Sequence, residues 1–185
     1  MRKLKLQMQI SVDGFVAGPE GQLDWMTFEM DDKLLAFMNR ITDTSDTILM
    51  GRKMAGGFLS YWEQIVTKPE NPEYAFAQKM VAIPKIVFSK TLKQIEGKNV
   101  RVETGSMVEA VKALKDRPGK DIIVYGGADF VSSLIENGLI DELNFFVNPT
   151  AIATGLKVFR DRKAMLLKSS VPYASGIVVN TYGLK

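Results

Sequence analysis

The sequence of 185 residues predicts an α/β protein in which helices cover both faces of a mostly parallel sheet. Short apolar runs alternate along the chain with segments that carry apolar residues at helical spacing. Turns rich in glycine follow several of the apolar runs, as expected where a strand passes into a helix. Because no helix of sufficient length separates the last two predicted strands, we expect the end of the sheet to be antiparallel.

The first strand is predicted over Leu4–Ser11, where apolar and polar residues alternate and make one side of the strand polar. A turn-rich loop follows over Asp13–Asp24, and then a helix over Asp31–Ile41 that begins with two carboxylates. Apolar runs predict six further strands: Thr47–Met50, Lys85–Phe88, Val100–Glu103, Ile122–Val124, Leu143–Val147 and Ile177–Tyr182. Apolar residues at helical spacing predict three further helices: Met54–Tyr61, Met107–Leu114 and Asp129–Asn137. Two prolines indicate a surface loop over Thr67–Tyr74.

Composition narrows the partners and the chemistry. The net charge of +3 is small and the lysines and arginines are dispersed, which argues against nucleic acid as a partner. No apolar run reaches the roughly 20 residues of a membrane span and no signal peptide is visible, so we expect one cytoplasmic domain over residues 1–185 with no membrane partner. The absence of cysteine and histidine excludes a typical zinc site and Ser-His-Asp or Cys-His catalysis. A carboxylate-only Mg²⁺ site would still be chemically possible, but no acidic cluster suggests one, so we expect no metal and a cofactor that carries the chemistry of any reaction.

The turn that follows Ile122–Val124 is the most informative local motif. Gly126-Gly127-Ala128 leads into a predicted helix, so the N–H groups at the helix start are unpaired and unshielded by side chains. This arrangement suits a diphosphate. A tight connection between strand and helix has the same sequence, so the motif by itself leaves both interpretations open.

Four turns follow predicted strand ends, and ligands of such sheets bind beyond the carboxyl ends of the strands. These turns are Ser11–Gly14, Gly51–Lys53, Ser89-Lys90 and Gly126–Ala128. They contribute glycines, a hydroxyl and the cations Arg52, Lys53 and Lys90. Taken singly, Arg52 and Lys90 have the ordinary explanation of a solvated charge. The combination predicts a site for an anionic nucleotide.

The order of these motifs resembles the dihydrofolate-reductase-like superfamily, and most closely the reductase domain of riboflavin biosynthesis and its small stand-alone bacterial relatives. The segments that carry the resemblance span nearly the whole chain: Ser11–Ala17, Ile48–Lys53, Ile123–Ala128, Gly138–Leu143, and Pro149 with Gly155 and Phe159.

The resemblance implies a three-layer fold with a central mixed sheet of about eight strands, helices on both faces, and NADPH as the hydride donor. It places Gly51, Arg52 and Lys53 beside the cofactor phosphates, Ser89 and Lys90 at the adenosine 2′-phosphate, and Gly126, Gly127 and Ala128 at the diphosphate. The resemblance also implies that the loop Asp13–Trp25 lies over the nicotinamide and the substrate as a lid. The composition of this loop fits an irregular surface loop equally well.

Two departures from the resemblance bear on the substrate. In dihydrofolate reductases a carboxylate on the helix after the lid holds the pterin, but here the corresponding residues are apolar and Asp31 and Asp32 lie about a turn too early. The deaminase half of the bifunctional riboflavin enzyme needs His and Cys zinc ligands, which this chain lacks. We therefore expect an NADPH-dependent reductase of a small heterocyclic or carbonyl/imine substrate. The alternative is a ligand-binding or regulatory protein that kept the fold without catalysis, and dihydrofolate reduction is the least expected activity.

Asp13 is the candidate catalytic and substrate-binding carboxylate, able to hydrogen-bond a substrate or relay a proton, although an Asp-Gly turn explains it equally well. Trp25, Phe37, Met38 and Trp62 are candidates for an apolar pocket around a flat ring, with core packing as the simpler explanation of each. The apolar stretch Gly138–Thr150 exceeds what we expect one small domain to bury, so a symmetric homodimer is predicted.

Overall fold

The computed structural model describes residues 1–27 and 31–184, and within these ranges it contains eight strands and five helices. The strands are β1 (Leu4–Ser11), β2 (Ser45–Gly51), β3 (Lys85–Phe88), β4 (Val100–Glu103), β5 (Asp121–Val124), β6 (Glu142–Asn148), β7 (Met165–Pro172) and β8 (Val178–Leu184). The helices are α1 (Asp32–Asp43), α2 (Arg52–Ile65), α3 (Tyr74–Ala82), α4 (Met107–Asp116) and α5 (Ala128–Glu136).

All eight strands form one mixed sheet in the order β4-β3-β2-β5-β1-β6-β8-β7. The first six strands in this order are parallel, and β8 joins β6 antiparallel, followed by β7 antiparallel to β8. The predicted α/β class with an antiparallel end is therefore confirmed. Parallel strands direct their carboxyl ends to the same edge, which sets where the functional turns meet.

Two apolar cores make the structure three-layered, with the sheet between two layers of helices. One core joins α4 and α5 to one face through residues such as Val111 and Leu134. The other joins α1, α2 and α3 to the opposite face through residues such as Met38, Ala55 and Met80. Helices on both faces of the sheet were predicted and are confirmed.

Two elements were not predicted from the sequence. Helix α3 lies just after the predicted surface loop. It lacks the usual start signal because Glu73 provides no side-chain cap, and it lacks a polar face because it is apolar on most sides. Strand β7 is exposed along almost its whole length and therefore lacks the alternation that burial of one face imposes.

The apolar stretch Gly138–Thr150 is internal, which corrects the expectation that it forms an exposed apolar surface. Strand β6 lies between β1 and β8, and Leu139, Ile140, Leu143 and Phe146 are buried within the chain. A strand with neighbours on both edges and helical layers on both faces buries both of its sides, so its apolar residues need no second subunit.

None of the helices in the described ranges has the length and apolarity needed to cross a membrane.

Lys85 is a buried cation that closes the end of α3. Lys85 is only 3% exposed, and its Nζ donates to the carbonyl oxygens of Met80, Val81 and Ile83 at 2.7, 3.0 and 2.7 Å. These carbonyls have lost their helical partners because the helix ends at Ala82. The ammonium group replaces those partners.

Replacing Lys85 by Met should lower the free energy of unfolding at pH 7 by about 1–3 kcal/mol, because three carbonyl acceptors lose a charged donor. Urea denaturation would measure the change. Lys93→Met, at an exposed position, is the matched control and should be nearly neutral. Equal stability of the two variants would contradict a capping role for Lys85.

Burial lowers the pKa of Lys85 to about 8, against an ordinary value of 10.5. The unfolded state therefore holds this proton more tightly than the folded state, and the contribution of Lys85 to the free energy of unfolding rises between pH 8 and 10.5. We expect wild type to gain stability over Lys85→Met across this window. A constant difference between the two proteins would contradict the lowered pKa.

Candidate functional site

The four turns singled out in the sequence follow β1, β2, β3 and β5, which are neighbouring parallel strands of the sheet. Their carboxyl ends therefore lie along one edge, and Ser11–Gly14, Gly51–Lys53, Ser89-Lys90 and Gly126–Ala128 are gathered there. Helix α2 begins directly after β2 at Arg52, and α5 begins after β5 at Ala128.

The starts of α2 and α5 are held together by contact between two glycines. A Cβ built on Gly127 would lie 3.5 Å from both Cα and N of Gly51, and a Cβ on Gly51 would lie 2.8 Å from Cβ of Phe130. Gly126 and Gly127 have φ angles of +155° and +86°, which side-chain-bearing residues rarely adopt. A side chain at Gly51 would collide with Phe130 of α5, whereas at Gly127 it is the positive φ angle that favours glycine.

Neither helix start carries a side-chain cap. Gly51 and Gly127 occupy the N-cap positions of α2 and α5, and no side chain there accepts a hydrogen bond from the first turn. Two adjacent helix N-termini thus present backbone N–H groups and the positive ends of their dipoles without a protein acceptor at the cap. This arrangement can bind an anion such as a phosphate group.

The cations predicted for this edge have different surroundings. Arg52 is exposed in the first turn of α2. Lys53, also exposed, forms an ion pair of 3.0 Å with Asp129 in the first turn of α5, and this pair lowers the pKa of the Asp129 carboxyl. The ion pair links the two helix starts at the protein surface. It also neutralises part of the positive charge that Lys53 brings to the edge.

Ser89 and Lys90 follow β3 on the same edge. The Ser89 hydroxyl oxygen is buried and accepts hydrogen bonds from the N–H groups of Thr91 and Leu92 at 3.2 and 2.8 Å, which leaves its O–H able to donate. Lys90 Nζ donates to the carbonyl oxygens of Thr104 and Gly105 at 3.1 and 2.7 Å. The exposed ammonium is held close to the turn after β4 and can donate one further hydrogen bond.

The candidate carboxylate Asp13 accepts hydrogen bonds on both of its oxygens. It accepts from Ser11 Oγ at 2.6 Å and from the N–H groups of Ile152 and Ala153 at 3.1 and 2.8 Å. The bond from Ser11, followed by the backbone bonds, lowers the pKa of Asp13 below its ordinary value of 3.8. Three protein donors thus occupy the oxygens that could bind a substrate or relay a proton, so this geometry favours the turn-residue interpretation of Asp13.

The loop after β1 is fastened to the segment that follows β6. Val16 N–H donates to Leu156 O at 2.9 Å, and Leu156 N–H donates to Ala17 O at 2.8 Å. A Cβ on Gly155 would lie 2.2 Å from Ala17 O, so only glycine allows this approach. At its far end the loop is held by Thr27 N–H, which donates to Asn148 Oδ1 at 2.9 Å.

A cavity of about 370 Å³ lies between this loop and the segment after β6. Trp25 lines it, and the indole N–H donates to Gln22 O at 3.1 Å. The other lining residues are Gly18, Pro19, Gln22, Asp24, Ile152 and Thr154. The cavity is open, and its wall is formed mainly by the predicted lid.

The other pocket candidates do not share the surroundings of Trp25. Phe37 packs edge-to-face against Phe146 at 5.9 Å and Tyr173 at 6.4 Å. Met38 is buried in the core under α1, and Trp62 packs between α2 and α3 against Phe76.

The polar side of β1 was predicted, but its burial was not. Gln7 and Ser11 are buried and Gln9 is half-buried, on the face of the sheet that α1 covers. The side-chain oxygen of Gln7 accepts no hydrogen bond from the residues that the structure describes. Periodicity alone could not distinguish a solvated face from a polar face beneath a helix.

Asn148, at the end of β6, is the functional candidate that sequence reasoning missed. It is fully buried, its Nδ2 donates to Gln9 Oε1 at 2.8 Å, and its Oδ1 accepts from the loop at Thr27. One side chain thus joins the polar side of β1 to the far end of the predicted lid. A polar residue at a strand end is the only sequence signal that could have indicated it.

Helix α1 has no acidic side chain on its buried face. Asp31 caps the helix by accepting from Leu34 N–H at 2.8 Å, and it also accepts from Ala174 N–H at 2.8 Å. Asp32 is exposed, and Asp43 pairs with Lys79 at 2.7 Å. The structural explanation of Asp31 as an N-terminal residue is confirmed.

Eight strands in a mixed sheet, helices on both faces and glycine turns along the carboxyl edge define the dihydrofolate-reductase-like arrangement. The particular family within it follows from the sequence. The chain belongs to the RibD C-terminal domain family, whose sequence profile matches residues 2–179. The resemblance stated from the motifs is therefore confirmed.

Individual relatives agree with this assignment. The Bacillus subtilis protein YyaP is 32% identical over 186 aligned residues, which cover 98% of this chain and 94% of YyaP. A Shewanella protein assigned by name to riboflavin biosynthesis has a similar structure, with a TM-score of 0.71 at 22% identity over 100% of this chain and 99% of its own.

A Thermotoga maritima protein, named as a diaminohydroxyphosphoribosylaminopyrimidine deaminase/5-amino-6-(5-phosphoribosylamino)uracil reductase, matches with a TM-score of 0.68 and 16% identity. The match covers 100% of this chain and 57% of the Thermotoga chain. At these identities the two solved structures establish a shared fold.

Replacing Asp13 by Ala should free the N–H groups of Ile152 and Ala153, whose hydrogen bonds end on its carboxylate. We expect faster amide hydrogen exchange at both residues, with a smaller increase in Asp13→Asn because one oxygen acceptor remains. Asp24→Ala removes an exposed carboxylate from the same loop and should leave both rates unchanged. Unaltered exchange in Asp13→Ala would contradict the positioning role.

Proposed function

We propose that this protein is an NADPH-dependent reductase of a small heterocyclic or carbonyl/imine substrate, similar in reaction class to 5-amino-6-(5-phosphoribosylamino)uracil reductase. The observation that carries the proposal is the contact between Gly51 and Gly127, which brings two uncapped helix starts together at the carboxyl edge of the sheet. A dinucleotide has a diphosphate that fits such a pair of N–H donors. The name of the Thermotoga relative supports the choice of reduction.

In this proposal the backbone of Gly51, Gly127 and Ala128 holds the diphosphate, and Arg52 adds a guanidinium that can pair with a phosphate. Gly126 keeps the turn free of side chains, since a Cβ there would lie 2.9 Å from Met54 Sδ. Lys53 links the starts of α2 and α5 through its ion pair with Asp129. Ser89 and Lys90 face the adenosine 2′-phosphate with one hydroxyl and one ammonium donor. Bound NADPH would supply the hydride.

The substrate side of the site is formed by the loop after β1 and the polar side of that strand. The Gln9 side-chain oxygen already accepts a hydrogen bond from Asn148, so the Gln9 amide nitrogen remains as a donor toward a ligand. Asp13 positions the segment after β6 instead of moving a proton, and the proton that reduction requires would come from water. A neutral ring or carbonyl with hydrogen-bonding edges suits these groups better than an acid.

The second candidate is a ligand-binding or regulatory protein that keeps the fold without catalysis. The engagement of Asp13 in hydrogen bonds favours it, because it removes the one carboxylate that sequence reasoning assigned to acid-base work. Titration with NADPH and NADH, followed by turnover on heterocyclic and carbonyl compounds, separates the candidates. Absence of NADPH binding at sub-millimolar concentration would contradict the reductase proposal, and binding without turnover would favour the second candidate.

Replacing Arg52 or Lys90 by Ala should weaken NADPH binding by about 1–3 kcal/mol, the loss expected for a charge-assisted hydrogen bond. Lys90→Ala should affect NADPH far more than NADH, since only NADPH carries the 2′-phosphate. Dissociation constants from fluorescence titration would measure both effects. Lys112→Ala, which removes an exposed cation on α4, should change neither. Equal losses for both cofactors in Lys90→Ala would place Lys90 away from the 2′-phosphate.

Dihydrofolate should be reduced at no more than trace rates with NADPH. A pterin held without a carboxylate would bury an unpaired amine at a cost of about 1–3 kcal/mol, and the buried residues of α1 are Leu34, Met38, Ile41 and Thr42. Steady-state absorbance assays would measure the rate, with the heterocyclic panel as the comparison. Robust dihydrofolate turnover inhibited by an antifolate would show that a carboxylate reaches the ring.

A further inference from the structure

The two edges of the sheet differ in how they are protected against pairing with another strand. At one edge, β4 has four residues, and its Arg101 and Glu103 form a 3.1 Å ion pair. Short, charged edge strands resist association. At the other edge, β7 has eight residues and pairs on one side only, with β8.

Strand β7 exposes large apolar side chains on both faces. Leu166 is 56% exposed, Leu167 is 53% exposed and Val171 is 39% exposed. The one charged residue of the strand, Lys168, is turned back over the sheet: a Cβ on Gly183 would lie 2.9 Å from its Cε, and its Nζ lies 3.7 Å from Glu142. The free edge therefore lacks the outward charge that usually blocks pairing.

We propose that the free edge of β7 pairs antiparallel with β7 of a second copy of this chain, about a twofold axis perpendicular to the sheet. The two eight-stranded sheets would then form one continuous sheet. The main-chain N–H and C=O groups of the outer edge would be satisfied by the partner, and the exposed Leu166 and Val171 would gain apolar neighbours.

The faces of β7 restrict the register of this pairing. Leu166, Ser169 and Val171 lie opposite Gly183, Thr181 and Val179 of β8, which share one face of the sheet. Leu167 and Ser170 lie opposite Tyr182 and Asn180 on the other face, because the register shifts between Leu167 and Ser169. A twofold axis perpendicular to the sheet joins only residues on the same face.

One register satisfies this rule along the whole strand. It places Leu166 opposite the partner's Val171 and Leu167 opposite the partner's Ser170. Lys168 then faces the partner's Ser169, so the two lysines are not directly opposed. An apolar pair forms twice, once on each side of the axis, as an isologous interface requires. This self-complementarity favours a second copy over an unrelated peptide as the occupant.

The absence of cysteine makes the register directly testable by cross-linking. Single variants Leu166→Cys and Val171→Cys would be mixed, allowed to exchange subunits and gently oxidised. Residues directly opposite have Cβ atoms about 4.5–5.5 Å apart, so the mixture should form a covalent dimer. Each variant oxidised alone should form at least about fivefold less, because its own symmetry mate is about five residues away, roughly 17 Å at the rise of a strand. Equal cross-linking in all three samples would overturn the register.

Light scattering tests the interface without oxidation. Wild type should have the mass of a dimer at micromolar concentration, and Leu166→Glu should have the mass of a monomer with an unchanged circular dichroism spectrum. Ala113→Glu adds the same charge at an exposed position of α4 and should remain dimeric. A monomeric wild type, or a folded Leu166→Glu variant that remains dimeric, would overturn the proposal whatever the outcome of the cofactor titrations.

Discussion

The close approach of Gly51 and Gly127 is the constraint on which the site depends. Strands β2 and β5 are neighbours in the sheet. Strand β2 passes directly into α2, and a short turn joins β5 to α5, so the starts of the two helices lie close together. With glycine at both positions the two backbones approach each other closely, and the two uncapped helix starts lie side by side. Glycine at the N-cap also has no side chain that could cap the first turn, so both helix starts remain uncapped. The proposed anion site therefore depends on how these two neighbouring strands pack.

A second set of contacts ties the loop after β1, the proposed substrate side of the site, to the sheet. Asn148 joins Gln9 of β1 to Thr27 of the loop, and Asp13 joins the start of that loop to Ile152 and Ala153. Both side chains lie at strand ends and act on backbone groups of another segment. The loop is therefore anchored at both ends, and the cavity beside Trp25 lies between these anchors. A loop held in this way can keep a substrate in one orientation and exclude water around it.

The antiparallel end of the sheet has a different role from the parallel part. Strands β1, β2, β3 and β5 supply the turns of the site, whereas β7 is exposed and contributes no turn to that edge. Its leucines and its free edge are unexplained by the fold of a single chain, since neither layer of helices covers them. The surface that we assign to self-association is therefore separate from the carboxyl ends of the parallel strands, where we propose that the cofactor binds.

The sequence by itself determined the α/β class, most element positions and the four turns, because these depend on local periodicity and on glycine. Asp31 as a helix-starting residue was predictable for the same reason. The contact of Gly51 with Gly127 was not, because strand order is a non-local property. The contacts of Asn148 and the engagement of Asp13 by the segment after β6 depend on residues more than a hundred positions apart in the chain. The buried side of β1 depends on how α1 packs on the sheet. The exposure of β7 and the burial of Gly138–Thr150 were also decided by tertiary structure, since a strand's burial depends on its neighbours in the sheet and not on its own composition.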